Sequence, residues 1–326
     1  MKMIRKIKQK ITGLTKNSAI KINYLLDNYN EVIWIVGDGR SGTTWVSDLI
    51  NYDKKYREMF EPFHSELVSD MSFVERHQYI RPDDFNGKIE AISSDIFSGK
   101  FTHERVDSEN HSLLYDGILI KDIFANLLCY SASRRFPKVK PILLIRNPFA
   151  VALSKYKKKD WLWFTEPLDL LKQTKLYEDY LIPFEGIIRS TSAKQDYILN
   201  QILIWSIINY IPLRQFEPGD IHVCFYEKIC IEPDNEISKI FKFVRGSNTN
   251  PQINLNKNVI NRPSRVVGTE SNLLSGTSPI TSWKKELTPQ IIQEGLKILQ
   301  CFGFENLYDE ISMPNEDVLR KIHESV

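Results

Sequence analysis

The segment from residue 31 to residue 45 constrains the fold more than any other part of the chain. It reads EVIWIVGDGRSGTTW, a short apolar run followed by a loop that contains three glycines. The apolar run predicts a strand buried in a parallel sheet, and the residues after the loop predict a helix that begins near Thr43. This order aims free backbone N–H groups and the positive end of a helix dipole at the loop. The segment therefore predicts a binding site for a phosphate-like anion.

Similar apolar runs alternate with helical patterns along the rest of the chain. The runs occupy 117–121, 141–145 and 221–226, and the helical patterns occupy 43–51, 123–136, 195–214, 235–244 and the segment after Thr288-Pro289. Strands that alternate with helices predict an α/β fold with a central parallel sheet flanked by helices. Ligands of such sheets bind at the carboxyl ends of the strands.

The length and composition fit one large domain. The chain has 326 residues, of which 42% are hydrophobic, and this is enough for a sizeable core. We predict a single domain over 29–310, a basic amphipathic segment over 1–28 and a C-terminal tail over 311–326. Residues 246–282 are rich in polar and turn-forming residues, which predicts a long surface loop that acts as a lid.

The charge balance and the residue types exclude several classes of protein. Lys and Arg total 43 against 41 Asp and Glu, which argues against broad nucleic-acid binding. The four cysteines lack CxxC spacing and predict reduced thiols, and the six histidines lack metal-ligand spacing and predict no catalytic metal. No run approaches the roughly 20 apolar residues that cross a bilayer, and the N-terminus lacks the pattern of a signal peptide. We therefore expect a cytoplasmic protein without a transmembrane segment.

The first 26 residues are strongly basic. They contain seven Lys or Arg and no acidic residue, with Ile4, Ile7, Ile11 and Leu14 at helical spacing. This pattern predicts a short amphipathic helix. Two interpretations stay open: a solvated helix packed on the domain, and weak contact with an anionic membrane surface that would make the protein membrane-peripheral.

The anion-binding loop departs from the nucleotide-binding pattern GxxxxGK[ST]. Thr43 stands where that pattern has lysine, and a cation appears three residues earlier, at Arg40. The strand at 141–145 runs into Arg146, whereas an ATP or GTP enzyme needs a carboxylate at such a strand end to help hold Mg²⁺. Two separate anionic groups without a divalent ion suit 3′-phosphoadenosine 5′-phosphosulfate (PAPS) better than ATP. An ATP-dependent P-loop kinase remains the alternative.

Two motifs resemble the PAPS-dependent sulfotransferase family. The first is the phosphosulfate loop, here Gly39-Arg40-Ser41-Gly42-Thr43-Thr44-Trp45, and the second is Arg146 followed eight residues later by Ser154. The resemblance implies a P-loop NTPase-like sulfotransferase fold. It also implies that the loop binds the 5′-phosphosulfate through Arg40, Thr43 and Thr44, with Arg40 stabilising the leaving phosphate. Arg146 and Ser154 would hold the 3′-phosphate.

The resemblance also implies weaker roles near the nucleotide. Tyr226 is similar to a family tyrosine that lies beside the nucleotide at a strand end, and a core tyrosine is the alternative interpretation. Ser282 and Lys284, in the sequence SWKK, are similar to a late element that closes over the 3′-phosphate. Arg262 and Arg265 are alternatives for that position.

Glu61, in the sequence MFEPFH, follows a predicted short strand and is the predicted general base. Pro62 favours an extended backbone at Glu61, which would project the side chain from the end of the sheet. The Glu-Pro pair resembles the tyrosyl-protein and carbohydrate branch of the family, in which a glutamate takes the proton of the acceptor. The small-molecule branch instead uses a histidine two positions after a strand-end lysine, and Lys121 has no such histidine after it. His64 and Asp122 remain alternatives.

A cationic stretch next to aromatic residues predicts an acceptor surface. The stretch comprises Lys155, Lys157, Lys158 and Lys159, followed by Trp161, Trp163 and Phe164. Such a surface stacks a sugar ring or attracts an anionic acceptor, and a solvated helix face followed by core aromatics is the alternative. Together with the Glu-Pro pair, the pattern favours a saccharide hydroxyl as acceptor over phenolic, lipid or tyrosyl hydroxyls.

Overall fold

The computed structural model describes residues 16–246, 251, 253, 255–260 and 279–324. Within these residues, five strands form one sheet: β1 (Glu31–Val36), β2 (Tyr56–Phe60), β3 (Gly117–Asp122), β4 (Val139–Ile145) and β5 (His222–Phe225). Every neighbouring pair is parallel, and the order is β2-β3-β1-β4-β5. The predicted α/β fold with a central parallel sheet is therefore confirmed.

Helices connect the strands and continue after the last one. They are α1 (16–25), α2 (Thr43–Ile50), α3 (Gly87–Phe97), α4 (Cys129–Arg135), α5 (Pro148–Tyr156), α6 (Leu168–Leu171), α7 (Thr174–Leu176), α8 (Glu185–Ser192), α9 (Tyr197–Gln215), α10 (Tyr226–Ile231), α11 (Pro233–Arg245), α12 (Lys257–Ile260), α13 (Pro289–Cys301) and α14 (Glu316–Glu324). Short 3-10 turns lie at Ser69–Met71, Pro82–Asp84, Ile182–Phe184 and Ser282–Lys285, and a π-helical turn lies at Tyr177–Leu181.

Alternate residues of β1 pack on opposite faces of the sheet. Val32, Trp34 and Val36 join the core beneath α3, α4, α5 and α9, whereas Ile33 and Ile35 join the core beneath α2 and α11. Successive side chains of a strand point to opposite faces, and helices cover both faces of a parallel sheet. The strand is therefore apolar at almost every position, as its sequence indicates.

The strand order creates a crevice at the carboxyl edge of the sheet. From β1 the chain adds β2 and β3 on one side and then crosses to β4 and β5 on the other. β1 and β4 are neighbours in the sheet. The connection that follows β1 leads toward one side of the sheet, and the connection that follows β4 leads toward the other. Ligands of open α/β sheets bind at this kind of switch point.

The helix predicted over 123–136 is shorter than expected. The residues before Cys129 form turns, and Phe124 already uses its carbonyl oxygen to accept the backbone N–H of His77 at 3.0 Å. That carbonyl is not available for the helical bond to the fourth following residue. The apolar side chains at the start of the segment still enter the core, which explains why the periodicity resembled a longer helix.

Both terminal segments pack on the domain where the structure describes them. Asn23 in α1 is buried, donates to the carbonyl of Leu113 at 2.7 Å and accepts the N–H of Tyr115 at 2.9 Å. At the other end, the segment set apart as a tail over 311–326 contains α14, and Arg214 of α9 donates to the carbonyl of Ile322 at 2.8 Å. Residues 1–15 and most of the predicted lid over 246–282 lie outside the described residues.

Two expectations drawn from composition can be compared with the fold. Among the helices of the described ranges, none has both the length and the apolar character needed to cross a bilayer. The four cysteines are free thiols, as expected.

Candidate active site

A cavity of about 660 Å³ opens at the carboxyl edge of the sheet. Its wall combines the loop after β1, the end of β2, the end of β3, the end of β4 and the 3-10 turn Ser282–Lys285. The site residues predicted from the sequence that line it are Gly39, Arg40, Gly42, Thr43, Thr44, Trp45, Glu61, Arg146, Ser154, Tyr226 and Ser282. Residues far apart in the sequence therefore meet at the crevice that the strand order creates.

The loop after β1 is a tight turn that leads directly into α2. Arg40 and Gly42 both have positive φ angles, 71° and 93°, and the N–H of Ser41 donates to the carbonyl of Asp38 at 3.0 Å. Gly42 occupies the N-cap position and supplies no side chain, so the first N–H groups of α2 stay available to a ligand. Thr43 and Thr44 are buried at the start of that helix, on the cavity wall.

Gly42 also permits close packing, because a Cβ atom there would lie 2.5 Å from Cδ2 of Tyr226. We expect Gly42→Ala to lower the free energy of unfolding by about 1–3 kcal/mol, from the left-handed backbone and the overlap together. We also expect it to displace the loop and weaken anion binding. Thermal unfolding with and without a nucleotide ligand measures both effects. Gly186→Ala is the matched control, because Gly186 lies in α8 with open space around its Cα, and this variant should be at least as stable as the wild type, with a gain of up to about 1 kcal/mol.

Two residues, one from α5 and one from the end of β4, contact Arg40 of the loop. Arg40 donates from Nε to Oγ of Ser154 at 2.9 Å, and Arg146 donates from Nη1 to the carbonyl of Arg40 at 2.9 Å. Arg146 also donates from Nη2 to the carbonyl of Pro279 at 3.0 Å, and its guanidinium lies 4.3 Å from the ring centroid of Tyr226. The two motifs that are separated by about a hundred residues thus form one cationic wall.

This wall has the features that an anionic nucleotide requires. Nε of Arg146, a residue of the cavity wall, is buried and has no hydrogen-bond partner among the described residues. Oγ of Ser41 is likewise buried and unpaired in the loop, although Ser41 itself does not line the cavity. Buried polar atoms are normally paired, so such an atom next to a cavity indicates a partner that comes from outside the chain. With the N-terminus of α2 beside two arginines, the residues present fit a donor that carries two anionic groups. Within the described residues, no group of His, Cys, Asp and Glu has the geometry to hold a metal ion.

A buried ion pair stabilises the loop after β1. Lys155 donates from Nζ to Oδ1 of Asp38 at 2.5 Å and to Oε1 of Gln201 at 2.8 Å. Asp38 and Lys155 are 1% and 2% exposed, so this buried pair connects the loop to α5 and α9. Lys155 was predicted to belong to a cationic acceptor surface, and instead it is a buried structural residue.

Glu61 lies at the end of β2 with its carboxylate between two cations. Lys121 donates to Oε1 of Glu61 at 2.5 Å, and Arg105 donates to Oε2. The backbone N–H of Glu61 donates to the carbonyl of Lys121 at 2.7 Å. The predicted extended backbone is wrong, because φ of Glu61 is +51°. These contacts stabilise a left-handed conformation that a non-glycine residue seldom adopts.

The two cations decide the ionisation of Glu61. Burial alone would raise the pKa of this carboxyl, but the nearby Lys121 and Arg105 outweigh burial and lower the pKa below its usual value. Glu61 is therefore a carboxylate at neutral pH. Each carboxylate oxygen can accept more than one hydrogen bond, so a hydroxyl in the cavity can still reach an acceptor site on Glu61.

The two alternative bases lie in different surroundings. His64 lines the cavity, its Nδ1 has no partner among the described residues, and burial lowers its pKa, which keeps the imidazole neutral. Asp122 accepts Nε1–H of Trp34 at 2.8 Å and the N–H of Phe63 at 3.1 Å. Burial raises the pKa of Asp122 to about 7, but its carboxylate stands in the core and does not line the cavity. His64 is the geometrically stronger alternative.

The remaining predicted nucleotide contacts divide into two groups. Tyr226 lies between the loop and Arg146, and its ring meets that of Trp45 edge to face at 5.5 Å. Ser282 lines the cavity beside Trp283, which stacks on a phenylalanine of α5. Lys284 is exposed instead, does not line the cavity, and donates to the carbonyl of Glu310. Arg262 and Arg265 lie outside the described residues.

Sequence reasoning missed the role of Arg105 and the pairing of Lys121 with Glu61. Arg105 lies in an irregular segment between α3 and β3, where no periodicity or motif distinguishes it. Lys121 carried one usable signal, since a lysine at the end of an apolar strand is placed at the ligand-binding edge of the sheet. Its partner could not be inferred, because 60 residues separate it from Glu61.

Comparison with known proteins identifies a family that matches most of the chain. The family model described as "Sulfotransferase domain" matches residues 30–309. Among solved structures, the chain is similar to the "Sulfotransferase Domain from the Curacin Biosynthetic Pathway", with 15% identity, a TM-score of 0.45, and coverage of 83% of this chain and 97% of that chain. It is also similar to the "Sulfotransferase from Alicyclobacillus acidocaldarius", with 12% identity, a TM-score of 0.38, and coverage of 78% and 98%.

A third solved structure similar to the chain is "retinol dehydratase in complex with androsterone and inactive cofactor PAP". The identity is 14%, the TM-score is 0.39, and the match covers 86% of this chain and 85% of that chain. No match was found among curated proteins.

Proposed function

The chain belongs to the sulfotransferase family. We propose that one wall of its cavity binds the sulfuryl donor and that the other wall activates the acceptor. One wall, at the loop after β1 and at Arg146, binds the donor PAPS, and Glu61 on the other wall accepts the proton of an acceptor hydroxyl. The observation that carries this proposal is that the loop, Arg146 and Glu61 line a single cavity at the carboxyl edge of the sheet.

The donor-binding wall is proposed to use two anion sites. The N–H groups at the start of α2, with Arg40, Thr43 and Thr44, would hold the phosphosulfate end, and Arg146 with Ser154 would hold the 3′-phosphate. The contact between Arg40 and Ser154 and the contact between Arg146 and the Arg40 carbonyl support a fixed spacing between the two sites. When bound, PAPS supplies a sulfuryl group attached to a phosphate leaving group.

Arg40 is proposed to stabilise negative charge at the phosphosulfate end of the cavity. Transfer of such groups passes through a loose transition state, so positioning and electrostatics supply most of the rate. A cation that is already fixed in place stabilises developing charge without reorganisation. Ser154 and the ring of Trp161, whose centroid lies 5.5 Å from the Arg40 guanidinium carbon, support that fixed placement.

Glu61 is proposed to act as the general base. Its carboxylate is ionised and is held by Lys121 and Arg105, which leaves it able to accept one more hydrogen bond from a hydroxyl. A carboxylate with a low pKa is a weak base, but a loose transition state requires proton removal only late in the transfer. Glu61 would therefore both orient the hydroxyl and take its proton.

A saccharide hydroxyl is the proposed acceptor. Trp161 lines the cavity, and its ring stacks on Trp163 with the centroids 5.5 Å apart and an angle of 30° between the planes. An indole face packs well against the C–H face of a sugar ring, and the charged residues around the cavity can bind its hydroxyl groups. Screening labelled sulfate transfer to saccharide, phenol and lipid acceptors tests this assignment. A higher kcat/KM for a phenol or a lipid would contradict it.

The donor assignment has a direct test. Adenosine 3′,5′-bisphosphate (PAP) should raise the unfolding temperature of the protein, whereas ATP at the same concentration should have a much smaller effect, because ATP lacks a 3′-phosphate. Labelled sulfate should pass from PAPS to an acceptor in the presence of a metal chelator. Stabilisation by ATP with Mg²⁺ instead of PAP, or activity that requires Mg²⁺, would support the kinase alternative. The cytoplasmic location stays a prediction.

The lowered pKa of Glu61 predicts the pH dependence of the reaction. Because the carboxylate form persists until the pH falls through this low pKa, kcat/KM should stay nearly constant between about pH 6 and about pH 8 and should fall only in more acidic solution. Arg105→Gln removes one of the two cations that offset burial, so the acid limb should move to higher pH. Arg81→Gln is the control, since Arg81 is an exposed arginine that pairs with Asp179. An unchanged acid limb in Arg105→Gln would contradict the proposed electrostatic role of Arg105.

A further inference from the structure

An exposed apolar surface lies at the amino edge of the sheet, opposite the cavity. It consists of Ile22 and Leu25 of α1, Leu26 in the turn that follows, and Leu113 and Leu114 of the loop before β3, and we call it the amino-edge surface. These side chains are 50%, 67%, 63%, 75% and 64% exposed, respectively. The proposed sulfuryl transfer uses none of them.

The two parts of this surface are held side by side by a buried asparagine. Asn23 is fully buried, and it contacts both the carbonyl of Leu113 and the N–H of Tyr115. Ala19 and Ile20 of α1 are also buried, so this helix already packs one face on the domain. Ile22, Leu25 and Leu26 therefore belong to a second apolar face that the domain does not cover.

The concentration of apolar side chains at this edge is unusual for a monomeric surface. Five of the fourteen large hydrophobic residues that are exposed in the described part of the chain belong to the amino-edge surface. Single exposed leucines are common, but contiguous apolar patches usually mark a contact with a protein or a membrane.

The charges around this surface distinguish between these partners. The sequence that leads into it holds seven Lys or Arg and no acid before residue 27. Lys21 is exposed on α1, and the exposed Lys54 and Lys55 lie in the turn that contacts the 112–116 segment. Among the described residues at this edge, Asp27, Asp53, Glu109 and Asp116 balance the lysines, and Asp53 pairs with Lys55 at 3.5 Å. The basic excess comes from the sequence that precedes α1, since residues 1–15 hold five Lys or Arg and no acid.

We propose that the amino-edge surface docks on an anionic lipid surface. Leucine and isoleucine side chains would enter the boundary between head groups and acyl chains, and the lysines would lie among the anionic head groups. A second copy of the chain is a poorer partner, because a symmetric dimer would bring together two strongly basic N-terminal segments. An anionic bilayer satisfies both the apolar and the basic side chains.

Docking in this way fixes the direction in which the cavity faces. The surface precedes β1 and β3, whereas the cavity lies at the carboxyl ends of the same strands. Six strand residues at about 3.3 Å each separate the two edges by about 20 Å. The cavity would therefore open away from the lipid, toward acceptors that arrive from the aqueous side. This inference does not depend on the proposed division of work within the cavity.

Vesicle sedimentation of the full chain tests the proposal. We expect binding to vesicles of phosphatidylcholine with about 30% phosphatidylserine, little binding to pure phosphatidylcholine, and weaker binding as the salt concentration rises. Leu25→Ser/Leu26→Ser and Leu113→Ser/Leu114→Ser should each reduce partitioning about tenfold, since each removes two exposed leucines from the contact. Ile182→Ser/Ile231→Ser is the matched control, with residues that are 55% and 56% exposed elsewhere, and it should bind like the wild type.

Three results would overturn the proposal. The first is an absence of binding to the anionic vesicles. The second is full binding by Leu113→Ser/Leu114→Ser, because the basic segment would then act without the amino-edge surface. The third is a concentration-dependent dimer, detected by light scattering, that the leucine substitutions dissociate, which would identify a second copy as the partner. Stabilisation by PAP should be unchanged in every variant and reports that each is folded.

Discussion

Glu61→Gln is expected to lower kcat for sulfuryl transfer by about a thousandfold, within the range that a positioned general base contributes. The amide keeps the size of the side chain but cannot accept a proton. Donor affinity should be unchanged or tighter, because Lys121 and Arg105 lose their carboxylate partner and remain beside an anion-binding cavity. Single-turnover rates with labelled PAPS and calorimetric titration with PAP separate these two effects.

Another glutamate in the same cavity provides the control for Glu61→Gln. Glu286 also lines the cavity and pairs with a lysine, since its carboxylate lies 2.6 Å from Nζ of Lys157. Glu286→Gln should keep kcat within about threefold of the wild type, as expected for an exposed ion pair. His64→Gln tests the alternative base. Near wild-type turnover in Glu61→Gln, together with a large loss in His64→Gln, would transfer the role of base to His64.

The part of the site that the sequence predicts is the part whose determinants are local. The strand β1, the glycine loop and the start of α2 follow one another within twenty residues, and each leaves a pattern that depends only on its neighbours. The turn from β4 into α5 is similar, because Asn147 caps α5 by accepting the N–H groups of Phe149 and Ala150. Glycine, proline and capping residues record such local geometry directly in the sequence.

The strand β2, in contrast, is stabilised by residues that are distant from it in the sequence. Arg57 is fully buried in the middle of the strand, where it pairs with Asp107 at 2.8 Å and donates to two backbone carbonyls. Asn110 contacts both the N–H and the carbonyl of Glu58 at 2.8 Å, in the manner of a neighbouring strand. From sequence alone, a charged residue is expected to be exposed, because its buried partner is not known. Arg57 therefore did not indicate a buried strand, and only a short strand before Glu61 could be predicted.

The backbone of Glu61 illustrates the same limit within the site. Pro62 biases the residue before it toward an extended conformation, and this local preference led to the wrong expectation. Hydrogen bonds of Glu61 to Lys121 and Arg105, from another strand and from an irregular segment, outweigh that preference and stabilise a positive φ. Strained backbone of this kind persists where the surrounding structure over-determines it, and it often occurs at functional sites.

Arg146→Ala is expected to remove most of the preference of the protein for a nucleotide with a 3′-phosphate. Hydrogen bonds to charged groups contribute about 1.5–3 kcal/mol, which corresponds to a loss of roughly ten- to a hundredfold in PAP affinity. Adenosine 5′-phosphate lacks the 3′-phosphate, so its affinity should change much less. Calorimetric titration of wild type and variant with both nucleotides gives the ratio of the two affinities, and this ratio should fall by about the same factor as the affinity for PAP.

The ratio of affinities separates recognition of the 3′-phosphate from a general disturbance of the loop. Arg146 also supports the loop through the Arg40 carbonyl and reaches the Pro279 carbonyl, so its removal can weaken every nucleotide. A disturbed loop lowers both affinities together and leaves their ratio unchanged, whereas loss of a specific contact lowers the affinity for PAP alone. Lys157→Ala removes another cavity cation and should likewise leave the ratio unchanged. An unchanged ratio in Arg146→Ala would assign the 3′-phosphate to a different residue and restrict Arg146 to supporting the loop.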